Sequence, residues 1–240
     1  MIFWKGPSRI RAVSFDLDDT LYDNQPVIRS AEERFSRILA DRYSLPGEAL
    51  DPVYWMRWSS WCIKRRPELD NDVTQLRQAM LFEALRQLGH PISISEARDL
   101  TALFIRIRSE ISVPESSLRL LSDLGAKYPL ACISNGNSDT VQDGLAPYFD
   151  CDLRPSASGP RCKPCPDLFL KFAERSGVRP CEVLHVGDDP FTDILGAACA
   201  GCQSAWLERG IAGKTAGADE LMILPTLQIS SLEELRALLL

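Results

Sequence analysis

Long apolar runs are missing from this 240-residue chain. Met1 to Ser8 hold one lysine and a single apolar stretch, Ile2-Phe3-Trp4, too short for the hydrophobic region of a secretion signal. No later segment approaches the roughly 20 apolar residues that cross a bilayer. A cytoplasmic location with no membrane partner is therefore expected. A surplus of positive charge is also missing. The formal net charge is −6, which argues against a nucleic-acid partner, because such binders carry a basic face. A phosphate-bearing ligand has to be held by local cations and amides, not by the overall field. Internal repeats and low-complexity tracts are absent too. What remains is an ordinary globular composition, 45% hydrophobic and 25% charged.

Eight cysteines are present, and in the cytosol they are expected as reduced thiols. Cys162-x-x-Cys165 and Cys199-x-x-Cys202 have the spacing of zinc-site pairs. The gap between the pairs is longer than in a zinc ribbon, so buried or loop thiols are the expectation.

Four short apolar runs read as buried parallel strands: Ile10–Phe15, Pro129–Ser134, Val183–Gly187 and Gln203–Leu207, with a weaker fifth at Phe149–Leu153. Helices alternate with the later runs. Pro166 to Gly177 has proline near its start and glycine after its end, and Thr192 to Gly201 stops on glycine. This alternation predicts an α/β fold, a Rossmann-like doubly wound parallel sheet. From Asn24 to about Ile111 the alternation stops. Four amphipathic helices are expected there, an all-helical insertion lying over the carboxyl edge of the sheet. The expected division is a catalytic core of residues 1–22 and 113–240 and a helical cap of 23–112.

The chemistry gathers at the strand ends. The first run ends in Asp16-Leu17-Asp18-Asp19-Thr20, the second in Ser134-Asn135-Gly136-Asn137, and Val183–Gly187 in Asp188-Asp189 with Asp193 beyond. Lys163 sits in a glycine- and proline-rich loop. In a parallel sheet these ends share one edge, so carboxylates, a hydroxyl, amides and an ammonium converge. Oxygen ligands from Asp16 and Asp188 suit Mg²⁺. Amides after Asp16, with Ser134, Asn135 and Lys163, suit the non-bridging oxygens of a phosphoryl group. One of Asp16 and Asp18 can attack phosphorus while the other handles the leaving group's proton. An EF-hand reading of this first segment fails for want of the sixth-position glycine and the final glutamate.

"DLDDT", "ISNGN", "CKP" and "VGDDPFTD", in that order, resemble the four motifs of the haloacid dehalogenase-like (HAD) phosphatases, over nearly the whole chain. The resemblance implies Asp16 as nucleophile and metal ligand. It implies Asp18 as general acid then base, its carbonyl on the metal, and Asp188 as a further ligand. Ser134 and Lys163 hold phosphate, Asp193 supports the metal site or Lys163, and Asp189 is a candidate for the metal shell. The insertion resembles a C1-type cap, and the substrate expected is a small phosphorylated metabolite. Within the family, "FDLDDTLYDN" and "LHVGDD" bring the chain close to riboflavin-synthesis phosphatases. Those act on 5-amino-6-(5-phospho-D-ribitylamino)uracil and FMN. Cys162 departs from that pattern, where serine is expected before the lysine. A dehalogenase, a sugar phosphomutase and a non-catalytic binding module are the alternatives. Asp18 argues against the first, because dehalogenases do not keep the second aspartate.

Other residues have plainer expectations. Asp19 and Asp23 are expected to begin a turn or helix, and His185 to be a hydrogen-bonded core residue. Trp55, Trp58 and Trp61 are expected to pack within the insertion, the alternative being stacking on a substrate ring. Lys64 to Pro67 are expected as a solvated helix end.

Overall fold

The computed structural model describes residues 1–6, 8–213 and 220–240. In chain order its strands are β1 (Ile2–Phe3), β2 (Ala12–Phe15), β3 (Leu130–Ile133), β4 (Cys151–Leu153), β5 (Val183–Gly187), β6 (Gln203–Leu207) and β7 (Leu227–Ile229). They form one sheet in the order β1-β7-β6-β5-β2-β3-β4, parallel except for β1 against β7. With β1 set aside, the parallel strands follow the doubly wound 3-2-1-4-5-6 order. The order reverses between β2 and β5, which lie side by side with Phe15 opposite Val186. Ligands bind at such a reversal, outside the carboxyl ends of the strands.

All four strongly apolar runs are strands. Phe149–Leu153 begins later than its sequence suggests, because Phe149 still belongs to a turn and bonds Ala146 through its N–H. The sequence reading omits β1 and β7, whose two and three residues are too few to show a period.

Between β2 and β3 stand α1 (Gln25–Tyr43), α2 (Pro52–Arg65), α3 (Val73–Gln87), α4 (Ile94–Arg108) and α5 (Glu115–Gly125). The starts of α2, α3 and α4 are set by side-chain caps. Asp51 accepts from Val53 N–H at 2.9 Å, Asp72 from Gln75 N–H at 2.8 Å, and Ser93 from Glu96 N–H at 3.1 Å. Helices α1 to α4 bury a cluster of their own, including Phe35, Leu39, Leu81, Leu100 and Phe104. The two faces of the sheet bury separate clusters, one around Phe15, Leu121 and Leu184, the other around Ile133, Phe169 and Phe172. The helical insertion thus has its own apolar interior. Trp55 belongs to it, its ring N–H bonded to the Ala49 carbonyl at 2.9 Å. Trp58 and Trp61 meet edge to face at 5.8 Å against the same cluster. Lys64 to Pro67 are exposed.

After β4 come α6 (Asp167–Arg175), then, beyond β5, α7 (Gly196–Cys199), and at the chain's end α8 (Leu232–Leu239). The expected helix from Thr192 to Gly201 is a wide helical turn over Pro190–Leu195 followed by the short α7. It starts early because Asp189 caps Phe191 and Thr192 N–H and Pro190 suits a first helical position. The cysteines of the described residues are free thiols. No described helix is long and apolar enough to cross a membrane.

The loop after β3 contains a poorly solvated carboxylate. Asp143 accepts from Leu145 N–H through Oδ1, while its buried Oδ2 has no hydrogen-bond partner among the described residues. Burial pushes its pKa up to about 6, against the pull of the Leu145 amide and Arg154. Unfolded, the group titrates near 4. The native state therefore holds the proton more tightly. This contribution to stability is full below about pH 4 and is lost as pH rises through 6. Asp143→Asn is predicted to raise the melting temperature at pH 7.5, with the gain shrinking at pH 4.5. Thermal unfolding at the two pH values checks this.

Candidate active site

Strand β2 delivers the first carboxylate. Asp16 N–H still bonds the Val186 carbonyl at 2.9 Å, so its backbone is fixed by the sheet. The chain then turns. Thr20 and Leu21 N–H both return to the Leu17 carbonyl, and Asp19 takes a left-handed φ of 60°. Asp19 accepts from Asn24 N–H and the Gln25 side chain, at 2.9 and 3.0 Å, which ties it to the start of α1. Thr20 Oγ1 reaches across the strand reversal and donates to Asp188 at 2.9 Å.

Asp16, Asp188 and Asp193 are all buried, with ligand oxygens within 4.8 Å of one another. Between two of them lies Lys163, whose Nζ is 2.6 Å from Asp16 Oδ1 and 2.6 Å from Asp193 Oδ1. Asp193 also accepts from His185 Nε2 at 3.1 Å and from Asp189 N–H at 3.1 Å. Because Asp193 is the acceptor, His185 carries its proton on Nε2, and its Nδ1 accepts from Ser14 at 2.9 Å. His185 is thus a fully buried, hydrogen-bonded core residue. Its sheet neighbour Gly187 makes room for this arrangement, since a Cβ there would stand 2.3 Å from the Asp193 carboxyl carbon.

Burial would make every member of this group neutral, and the ion pairs decide otherwise. Burial raises Asp193, but Lys163 and His185 outweigh it and hold the carboxyl below its ordinary range. Burial lowers Lys163, but Asp16 and Asp193 outweigh that and keep it an ammonium. Asp16 goes the other way. Burial pushes it up, Lys163 only partly offsets this, and Asp193, Asp188 and Asp18 add to the rise. Burial lowers His185, which is neutral.

Asp18 lies on the side facing the insertion. Tyr22 donates to its Oδ1 at 2.6 Å, and Arg108 Nη2 reaches Oδ1 at 3.0 Å and Oδ2 at 3.2 Å. Arg108 ends α4, so a residue of the insertion touches this aspartate. Burial raises the Tyr22 phenol well above its ordinary value, and Asp18 adds to the shift. Gly136 leaves space beside Asp18, where a Cβ would be 2.8 Å from Oδ2.

Ser134, at the end of β3, is buried and accepts from Gly136 N–H. Asn135 grips the loop that carries Lys163. Its Oδ1 accepts from Lys163 N–H at 2.8 Å and its Nδ2 donates to the Lys163 carbonyl at 2.9 Å. The insertion holds the same loop through Asn71, which accepts from Cys162 N–H and donates to the Ser156 and Pro160 carbonyls. Asp189, read from sequence as a candidate for the metal shell, has Oδ1 occupied by its helix cap and is not one of the three clustered carboxylates.

The residues expected from the four motifs converge here. Sequence reasoning missed Thr20, Tyr22, Asn71 and Arg108. Tyr22 and Thr20 are within reach of a spacing argument, each four residues beyond a candidate catalytic aspartate. Asn71 and Arg108 lie far away in sequence, and only the placement of the insertion brings them in. A cavity of about 550 Å³ inside the insertion is lined by Trp61, Arg65 and Phe82, but by none of the strand-end carboxylates.

A parallel sheet with this strand order, clustering these carboxylates and one ammonium at its reversal, defines a hydrolase class. The chain belongs to the haloacid dehalogenase-like hydrolase family, whose model matches residues 10–201. It is 35% identical over 241 residues to the 5-amino-6-(5-phospho-D-ribitylamino)uracil phosphatase YigB of Escherichia coli, with all of both chains covered. It is 29% identical to a phosphoserine phosphatase of Thermus thermophilus, over 84% of this chain and 90% of that one. Among solved structures, a 2-haloacid dehalogenase of Pseudomonas syringae superposes with a TM-score of 0.79 at 32% identity, covering 96% of this chain and 98% of the other. Family membership and the phosphatases among its relatives make the chain an enzyme of the phosphatase class.

Lys163→Met is predicted to leave Asp16 and Asp193 buried without their shared cation. A loss of about 3–5 kcal/mol in unfolding free energy is expected, measured by urea denaturation in EDTA.

Proposed function

We propose that the chain is a magnesium-dependent phosphomonoesterase of the cytoplasm that works through an aspartyl-phosphate on Asp16. The observation that carries this reading is the position of Lys163, 2.6 Å from both Asp16 and Asp193, beside a second clustered carboxylate, Asp188. Such a group can accept a doubly charged phosphoryl ester only if more positive charge joins it. Asp16, Asp18, Asp188 and Asp193 face the cations of Lys163 and Arg108, and their hard oxygen donors suit Mg²⁺. Asp16, Asp188 and the Asp18 carbonyl would hold the ion. Asp193, already accepting from three donors, supports Lys163. Once bound, the cation neutralises charge on the phosphoryl oxygens.

The chain's own residues then divide the work. Lys163, Ser134 and the backbone amides after Asp16 hold the non-bridging oxygens, and Asn135 fixes the loop that presents Lys163. The Asp16 carboxylate attacks phosphorus and the ester P–O bond breaks. Asp18 gives the departing oxygen its proton. Its Oδ1 carries Tyr22 and the shorter Arg108 contact, so Oδ2, which takes only the 3.2 Å Arg108 contact and lies beside the space left by Gly136, is the more open atom for the transfer. In the second step Asp18 takes a proton from water as that water attacks phosphorus. The bond from phosphorus to Asp16 breaks and inorganic phosphate leaves. The helical insertion serves as a cap that keeps other water from the intermediate.

The whole-length similarity to the ribitylaminouracil phosphatase supports that compound as substrate, with FMN as the second candidate. Asp18 separates this reading from dehalogenase chemistry, in which no leaving oxygen needs a proton. A phosphomutase shares both aspartates, and the fate of the phosphate, released or transferred, tells the two apart.

Magnesium-dependent phosphate release should appear in a panel containing the ribitylaminouracil phosphate, FMN and sugar phosphates. Phosphate passed to a second sugar hydroxyl, or chloride set free from a 2-chloroacid, would overturn the assignment. Asp16→Asn is predicted to keep the fold and lose turnover by about 10³-fold or more, and near-normal p-nitrophenyl phosphate hydrolysis by it would remove Asp16 as nucleophile. Asp18→Asn should slow alkyl phosphates by about 10²–10⁴-fold. Its first step should suffer less with p-nitrophenyl phosphate, whose leaving group departs without a proton. Burst kinetics on the two substrates separate these steps.

A further inference from the structure

A cavity of about 200 Å³ lies at the seam between the insertion and the sheet. It is lined by Asp18, Asn24, Ile28, Val73, Arg77, Phe104, Arg108, Gly136 and Asn137. Its position beside Asp18 is where the group attached to the phosphate has to lie, so its role as a subsite rests on the phosphatase reading. Three features describe what fits it.

The first is charge. Two arginines line the cavity, yet each already faces a carboxylate. Arg77 pairs with Glu32 at 2.7 Å and lies 3.4 Å above the Phe104 ring centroid. Arg108 pairs with Asp18 at 3.0 Å. The cavity therefore offers no surplus positive charge to a carboxylate or a second phosphate. The second is hydrogen bonding. Arg108 is only 2% exposed. Its Nη2 makes all three of its hydrogen bonds, to Asp18 and to Asn24 Oδ1. Its Nη1 stands at the cavity lining, 3.4 Å from where a Gly136 Cβ would lie, and makes no hydrogen bond among the described residues. Asn137 stands at the same seam, its Nδ2 donating to Thr74 Oγ1 at a long 3.2 Å. The third is the wall. Ile28, Val73 and Phe104 give the cavity an apolar side that suits C–H groups and not a fully hydrated head group.

We infer that this seam is the leaving-group subsite and takes a neutral, hydroxylated aliphatic chain, with Arg108 and Asn137 as the residues that read its hydroxyls. A hydroxyl both donates and accepts without bringing charge, so it can meet the Arg108 Nη1–H and the Asn137 amide while its carbon chain lies on the apolar wall. A sugar-alcohol chain next to the phosphate has this chemistry. Arg108 is a specificity-determining residue here, and through Asp18 it also helps place the acid.

The experiment compares two alkyl phosphates whose leaving groups need a proton equally, ribitol 5-phosphate and n-pentyl phosphate. Both are assayed with Mg²⁺ on the full chain and on Arg108→Gln and Asn137→Ala. The wild-type protein should prefer ribitol 5-phosphate by at least about tenfold in kcat/KM, as a site built to bond hydroxyls disfavours the analogue lacking them. Each variant should lower that ratio by about fivefold or more. Any disturbance of Asp18 slows both substrates alike and leaves the ratio untouched. A ratio unchanged in both variants overturns the inference and leaves Arg108 as a positioning residue for Asp18. A wild-type protein without preference for the hydroxylated chain also overturns it. If neither alkyl phosphate nor p-nitrophenyl phosphate is hydrolysed, the phosphatase reading has failed, and the subsite with it.

Discussion

One ammonium sets the terms for the rest of the site. Lys163 is buried almost completely, and it stays charged because Asp16 and Asp193 each approach it to 2.6 Å. A buried cation is expensive alone, and so are the two carboxylates. Together they form a group that cannot lose a member cheaply. Much of the nearby sequence serves to place it. Gly187 clears space for Asp193, His185 and the Asp189 amide fix its oxygens, and Asn135 clamps the backbone on either side of Lys163. The sheet itself holds only Asp16 and His185 directly. The arrangement is a rigid β2–β5 frame to which a lysine on a loop has been tied.

That loop explains a division in what could be read from sequence. The parallel sheet was legible because four of its strands are continuous apolar runs with polar residues at one end, a pattern set by burial on both faces. The strand-end aspartates were legible for the same reason, since acidic residues at the close of a buried strand need an explanation. β1 and β7 were not, because a two- or three-residue strand carries no periodicity and exists through its neighbour. The α7 region was legible as helical but not as a wide turn, which depends on the Asp189 cap and Pro190. Of the site, Asp16, Asp18, Ser134, Asn135, Lys163, Asp188 and Asp193 could be named in advance. Asn135 was read as a phosphate contact, whereas both of its amide atoms are engaged with the Lys163 backbone. The insertion's contribution was out of reach. Helical spacing puts Arg108 on the face of Ala97, Leu100, Phe104 and Ile107 and Arg106 off it, but does not show which aspartate that face meets. The contact with Asp18 comes from where the end of α4 is placed.

The insertion and the sheet meet mostly through polar groups. Their apolar clusters are separate. Across the seam run Arg108 to Asp18, Asn137 to Thr74, Ser109 to the Asp139 amide, and Asn71 to the loop before Lys163. Hydrogen bonds of this kind exchange readily with water, whereas a buried apolar interface does not. The seam is therefore held by contacts that water can replace at modest cost.

Asn71 gives that seam a second meaning. It holds Cys162 and the Ser156 and Pro160 carbonyls from the insertion side, while Asn135 holds Lys163 from the sheet side. The strip of chain between them is a tether with one end on each body. The placement of Lys163 therefore depends on the insertion as well as on the sheet. The position of the ammonium is thus a joint property of both parts, set by two asparagines, one from each.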